Sequence, residues 1–122
     1  MNLKTGVDLI EIQRIANAIE RYGERFLARV YTADELALIG EDQASLAARF
    51  AAKEAVSKAL GTGIGAVSFQ EIEILRDEAR APVLYLHGEA QQIAQKFGLT
   101  TWSISLSHTQ THAIAMVVAI SQ

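Results

Sequence analysis

Arg49-Phe50-Ala51-Ala52-Lys53-Glu54-Ala55-Val56-Ser57-Lys58-Ala59-Leu60-Gly61-Thr62-Gly63 reads as a helix with almost no polar face that stops at a glycine. Glu54 and Lys58 sit one turn apart on it. On a helical wheel Glu54 falls between Ala47, Phe50 and Ala51, so its carboxylate projects among apolar groups. A charge in such surroundings needs a cation or a hydrogen-bonding partner. Lys58, a metal ion, or both would serve.

Working outward, Asp42 or Ser45 is read as the cap of this long central helix. Thr32-Ala33-Asp34-Glu35 matches a capping box and predicts a short helix before it. Residues 11 to 22 predict a helix with Ile12, Ile15, Ile19 and Tyr22 on one face. Gly23 is read as ending or bending it, with a further turn or two from Glu24 to Val30. Leu3 to Ile10 reads as a first strand.

Beyond the glycines the period changes. Phe69, Glu71, Glu73 and Leu75 alternate with Gln70, Ile72, Ile74 and Arg76, which predicts a strand. The one proline, Pro82, opens the next strand, Val83 to Leu86, where no ladder hydrogen bond is asked of it. Glu89 to Phe97 reads as a helix ended by Gly98. Trp102 to Leu106 and Ala113 to Ile120 read as two strands joined through Ser107-His108-Thr109-Gln110. Grouped strands of this kind predict an α+β fold with a largely antiparallel sheet. The last strand is apolar on both faces, so one face needs a second layer or a partner subunit.

With 122 residues, 50% hydrophobic and 20% charged, the chain suits one globular domain spanning 1–122. No apolar run is long enough for a bilayer, and Met1 to Gly6 has no signal-peptide pattern. The absence of cysteine excludes disulfides and thiolate metal sites. A cytoplasmic location is expected. A net charge of -3 argues against a general nucleic-acid binder.

Asp8 is a polar residue inside an apolar strand. It is read either as a cap for the following helix or as the partner of Glu54. Two converging carboxylates make a hard-cation site, and with so few protein ligands the cation would be Mg²⁺, completed by water and phosphates. Lys58 is either an intrahelical partner of Glu54 or a cation aimed at phosphoryl oxygens. Gly61-Thr62-Gly63-Ile64-Gly65 follows a helix instead of preceding one, so it is a cap and turn, not a phosphate cradle. Ser107-His108 does not predict a hydrolase triad, since neighbours on an extended chain point apart. His108 suits phosphate binding or proton handling, while His87 and His112 read as ordinary surface histidines. Arg14, Arg21 and, if the helix continues past Gly23, Arg25 fall in one arc, a basic stripe suited to an acidic partner.

Together these residues resemble the holo-acyl-carrier-protein synthases, the small bacterial 4′-phosphopantetheinyl transferases. Gly6-Val7-Asp8-Leu9 and the run from Arg49 to Gly63 carry the likeness. Phe69 to Ile74 and Ser105-Leu106-Ser107-His108-Thr109 extend it over the whole chain. The resemblance implies a fold of order β-α-α-α-β-β-α-β-β. It also implies transfer of phosphopantetheine from coenzyme A to a serine of acyl carrier protein in fatty acid biosynthesis. The reaction depends on Mg²⁺ and releases adenosine 3′,5′-bisphosphate. Asp8 and Glu54 then match metal ligands, and Lys58 matches the lysine facing the phosphates. Arg49, His108 and Thr109 match contacts to coenzyme A, and Arg14, Arg21 and Arg25 the surface that docks the carrier. Glu54, a metal-bound water and His108 all stand as candidates for the base. Members of this size are homotrimers with sites between protomers. Two departures bear on coenzyme A: Arg80-Ala81-Pro82 replaces Gly-Lys-Pro, and Glu41-Asp42 replaces basic residues before the central helix. A coenzyme A-binding subunit without transferase activity and a Mg²⁺-dependent nucleotide pyrophosphate hydrolase are the alternatives; neither needs a basic stripe.

Overall fold

The computed structural model describes residues 1–121. Its elements, in chain order, are β1 (Leu3–Glu11), α1 (Ile12–Tyr22), α2 (Glu24–Val30), α3 (Ala33–Ile39) and α4 (Gln43–Leu60). A 3-10 turn (Phe69–Glu71), β2 (Ile72–Arg76), β3 (Pro82–Leu86), α5 (Gly88–Lys96), β4 (Leu99–His108) and β5 (His112–Ser121) follow. The α+β class stands, with one helix more than the expected order. Gly23, at φ 58° and ψ -132°, ends α1, and Glu24–Val30 forms a separate helix.

Two further expectations are corrected. Asp8 lies in the middle of β1 and caps nothing; α1 starts after Glu11 without a side-chain cap. Phe69–Glu71 is a 3-10 turn, so the strand begins only at Ile72. The cause is a second capping box: Glu71 accepts from the Ser68 amide at 2.7 Å and also from the amides of Glu89 and Ala90 at the start of α5.

The strands form two antiparallel sheets, β1-β5-β4 and β2-β3, where one was expected. In the larger sheet β5 is central. Directly opposed residues share a face. Ala113, Ala115, Val117 and Ala119 of β5 therefore join Gly6, Asp8 and Ile10 of β1 on the side covered by α4. Ile114 and Met116 join Leu3, Val7 and Leu9 on the opposite side, where nothing among the described residues covers them; these five are 39 to 65% exposed.

Small side chains decide how closely α4 lies on this sheet. Ala51, Ala52, Ala55 and Ala59 are buried on the helix, opposite the alanines of β5. At Gly6 the backbones meet: a Cβ there would stand 1.9 Å from the carbonyl oxygen of Ala55. Gly6→Ala has no flexible side chain to push aside, so it should cost about 3 kcal/mol, the upper end for overpacking. Urea unfolding measures this, and an unchanged midpoint would refute the close contact.

A buried polar network locks the other side of α4. Lys53 and Glu35 are both fully buried. Lys53 Nζ donates to Glu35 Oε1 at 2.8 Å and to the carbonyls of Phe69 and Ile72 at 2.9 and 2.6 Å, which uses all three ammonium donors. Glu35 also accepts from the amides of Thr32 (2.9 Å) and Ile74 (2.8 Å). Thr32 Oγ1 donates to Glu73 at 2.6 Å, and His87 Nε2 lies 3.0 Å from the other Glu73 oxygen. Burial pushes the Lys53 ammonium pKa down, and the charge of Glu35 opposes that. The predicted box Thr32–Glu35 thus caps α3 and also joins it to α4 and β2.

Candidate active site

The contact at Gly6 sets β1 against the middle of α4 and so brings Asp8, Glu54 and Lys58 together. Lys58 Nζ lies 3.2 Å from Asp8 Oδ1 and donates to the carbonyl of Val7 at 3.0 Å. The intrahelical pairing of Lys58 with Glu54 is therefore not what forms. Glu54 is partly buried, and among the described residues its carboxylate has no hydrogen-bonding partner. Burial, and next the charge of Asp8, raise the Glu54 carboxyl above the usual carboxylate range; Lys58 opposes both.

Two carboxylates that repel each other, one of them unpartnered, form a donor set that fits a hard divalent cation. Among the described residues no cluster of three or more His, Asp or Glu holds a metal. A cation bound by Asp8 and Glu54 needs water or phosphate oxygens to complete its shell, which is how Mg²⁺ usually sits in phosphoryl-transfer sites. The glycines after α4 contribute no cradle. The amide of Gly61 bonds the Lys58 carbonyl at 3.0 Å, and those of Thr62 and Gly63 bond the Ser57 carbonyl at 3.1 Å, so all three are spent on ending the helix.

Arg49 lies little more than one turn before Glu54 and is 7% exposed. Its Nε is buried without a hydrogen-bond partner. Burial, and next the neighbouring charge of Arg76, push its pKa below the usual value. Arg76, which closes β2 opposite Pro82, donates to the Leu38 carbonyl at 3.5 Å and to no other group among the described residues. Among the described residues neither guanidinium has a carboxylate in contact, an arrangement that favours an anion. Sequence reasoning missed Arg76; its signal is positional, as the last residue of the middle strand.

His108 and Thr109 stand apart from the carboxylates. His108 ends β4, two strands across from β1, opposite Ala113, which in turn faces Ile10. It is exposed, with Nδ1 3.3 Å from the Thr109 carbonyl oxygen. Thr109 builds the turn: its hydroxyl accepts from the amides of Thr111 and His112 at 3.2 and 3.0 Å. Among the described residues no hydrogen bond or ion pair links either one to Asp8, Glu54 or Lys58.

Arg14 and Arg21 are exposed on α1, two turns apart. The condition for including Arg25 in their helical arc fails, because Gly23 puts Arg25 on α2. Arg25 instead lines a cavity of about 350 Å³ with Tyr22, Phe26 and Arg29. Arg29, one turn after Arg25, is a basic residue that the sequence reading passed over. No ion pair engages any of the four arginines among the described residues.

A partly buried carboxylate pair with a lysine on the adjoining helix, and unpaired arginines beyond, is the equipment of a phosphoryl-type transferase. The family model of the 4′-phosphopantetheinyl transferase superfamily matches residues 4–117, and the chain belongs to that superfamily. Within it the chain is similar to holo-[acyl-carrier-protein] synthases. That of Herpetosiphon aurantiacus is 50% identical over 125 residues, covering 97% of this chain and 98% of that protein. The crystal structure of the Helicobacter pylori synthase in complex with coenzyme A superposes with a TM-score of 0.87 at 36% identity, over 95% of this chain and 99% of that one. The Neisseria meningitidis synthase gives the same score and identity over 97% and 98%.

Proposed function

We propose that this chain transfers the 4′-phosphopantetheine group of coenzyme A to a serine of acyl carrier protein, acting over residues 1–122 as one transferase domain. The observation that carries the reading is the convergence of Asp8, Glu54 and Lys58 where β1 meets α4. The serine hydroxyl attacks the β-phosphorus of the coenzyme A pyrophosphate, and adenosine 3′,5′-bisphosphate leaves with the electrons of the broken P–O bond. Mg²⁺ held by Asp8 and Glu54 would neutralise the pyrophosphate oxygens. Lys58 adds positive charge beside it, and Arg49 holds a phosphate farther along the cofactor. The proton of the serine goes to Glu54, to a water in the site or to His108. Such a reaction asks the protein for alignment and charge neutralisation more than for covalent chemistry.

His108 and Thr109 serve coenzyme A as well in this reading, but from a neighbouring protomer, since within one chain they lie two strands from β1. The uncovered apolar face formed by Leu3, Val7, Leu9, Ile114 and Met116 supports a homotrimer that buries it. Arg14 and Arg21 on α1 and Arg25 on α2 dock the acidic carrier. Coenzyme A and the carriers of fatty acid biosynthesis meet in the cytoplasm, so the enzyme acts there. Among the described residues no helix is long and apolar enough to cross a membrane.

The direct test incubates apo carrier protein with coenzyme A, Mg²⁺ and this protein. The carrier should gain the mass of phosphopantetheine, and EDTA should prevent it; no shift with any fatty-acid or polyketide carrier would reject the reading. Arg14→Glu should raise KM for the carrier about fivefold, the scale of one exposed charge contact, and leave KM for coenzyme A nearly unchanged. Equal changes in both would argue against docking on α1.

A further inference from the structure

Three features surround Lys58 that an ordinary surface ion pair does not need. Its ammonium makes no ion pair with Glu54, its i-4 neighbour, among the described residues; its contacts come from β1, Asp8 Oδ1 at 3.2 Å and the Val7 carbonyl at 3.0 Å. The side chain is 51% exposed while that of Asp8 is 20% exposed, so solvent weakens the pair. A groove of about 460 Å³, lined by Thr5, Gly6, Val7, Lys58 and Met116, opens beside the lysine; Val7 and Met116 in its lining belong to the face that the proposed homotrimer covers.

We infer that Lys58 is a stand-in cation: its ammonium occupies Asp8 until a divalent ion arrives, and the displaced lysine is then free to turn to the phosphates of coenzyme A. This rests on the reading of Asp8 and Glu54 as a metal site. A divalent ion and an ammonium cannot both sit against Asp8 without repulsion, so metal and lysine compete for one carboxylate. Glu54, with no partner, offers the incoming ion a free ligand. Asp8 gives up the lysine at small cost, because the lysine end of the pair is half exposed and a single charged contact holds it. The same competition keeps Asp8 neutralised when no metal is bound, and it makes metal and coenzyme A bind in concert, since one releases the group that the other uses.

A fixed structural tether between α4 and β1 would behave in the opposite way. Cutting it would loosen the approach of Asp8 to Glu54 and weaken metal binding. The experiment compares wild type, Lys58→Met, Lys58→Gln and Asp8→Asn, each shown to be folded by its melting transition. Mn²⁺ is titrated without coenzyme A and followed by the electron paramagnetic resonance signal of the free ion. The two Lys58 variants should bind Mn²⁺ up to about fivefold more tightly than wild type, the equivalent of one exposed ion pair. In the presence of Mn²⁺ they should bind coenzyme A more weakly. Asp8→Asn should lose Mn²⁺ binding. If wild type binds Mn²⁺ through Asp8 but the Lys58 variants bind it equally or less tightly, the stand-in role is overturned and the metal site survives. If neither wild type nor the Lys58 variants show saturable Mn²⁺ binding, the metal site and the stand-in role fall together.

Discussion

Lys53→Met should lower the unfolding free energy by about 3–5 kcal/mol, the cost of leaving one member of a buried ion pair alone. In a chain of this length that is a fall of roughly 10–20 °C in melting temperature. The loss is large because three acceptors depend on one ammonium: Glu35 Oε1 and the carbonyls of Phe69 and Ile72. Methionine fills the space but donates nothing, so the carboxylate of Glu35 would remain fully buried without its counter-charge. Two amide donors, from Thr32 and Ile74, would be its remaining support. Pairing Lys53→Met with Glu35→Gln removes that charge and should recover some of the loss, so the double variant melts above the sum of the singles. A Lys53→Met protein melting within about 3 °C of wild type would show that the pair does not hold α3, α4 and β2 together.

Glu54→Gln should do the reverse: keep the fold and abolish turnover. The side chain is isosteric and makes no hydrogen bond among the described residues that the amide would break. Because the Glu54 pKa is raised in the folded protein, the folded state favours the protonated carboxyl. The contribution of this group to stability is therefore greatest at low pH and declines as pH rises through the raised pKa. At neutral pH the variant sheds an unfavourable charge, and it should melt at or slightly above the wild-type temperature. Removing half of the proposed cation site should cost on the order of 10²-fold or more in turnover of apo carrier protein. Retained activity at saturating Mg²⁺ would reject Glu54 as a ligand. A stable, inactive variant separates this residue from Lys53, its neighbour in sequence, whose loss acts on the fold.

That contrast marks what the sequence could and could not convey. Local signals were legible. The box at Thr32–Glu35, the stop at Gly61, the strand opening at Pro82 and the two-faced last strand all have causes within a few residues. For Asp8 the sequence left two readings open, a helix cap and a partner of Glu54; the close approach at Gly6, which sets β1 against α4, is visible only in the structure. What escaped depends on partners far along the chain. Lys53 carries no local mark in the sequence; its partners Glu35, Phe69 and Ile72 come from α3, the 3-10 turn and β2. Lys58 had a carboxylate four residues back and took one fifty residues away. Gly23 could bend a single helix or separate a pair of them, and its backbone conformation decides for separation. The turn at Phe69–Glu71 hid under a strand-like alternation because Ser68 and Glu71 cap locally.

The place of β5 between β1 and β4 governs the order in which this protein can be made. Leu3 pairs with Ile120 and Trp102 with Ala119, so neither flanking strand has its neighbour until the last strand is synthesised. Before that moment α4 has no joined sheet to lie on, and the edges of β1 and β4 are open to wrong pairings. Contacts of such sequence separation form slowly and close late. A nascent chain halted before His112 would expose α4 and two unpaired strands, and it would be a substrate for chaperones or proteases instead of a partly active enzyme.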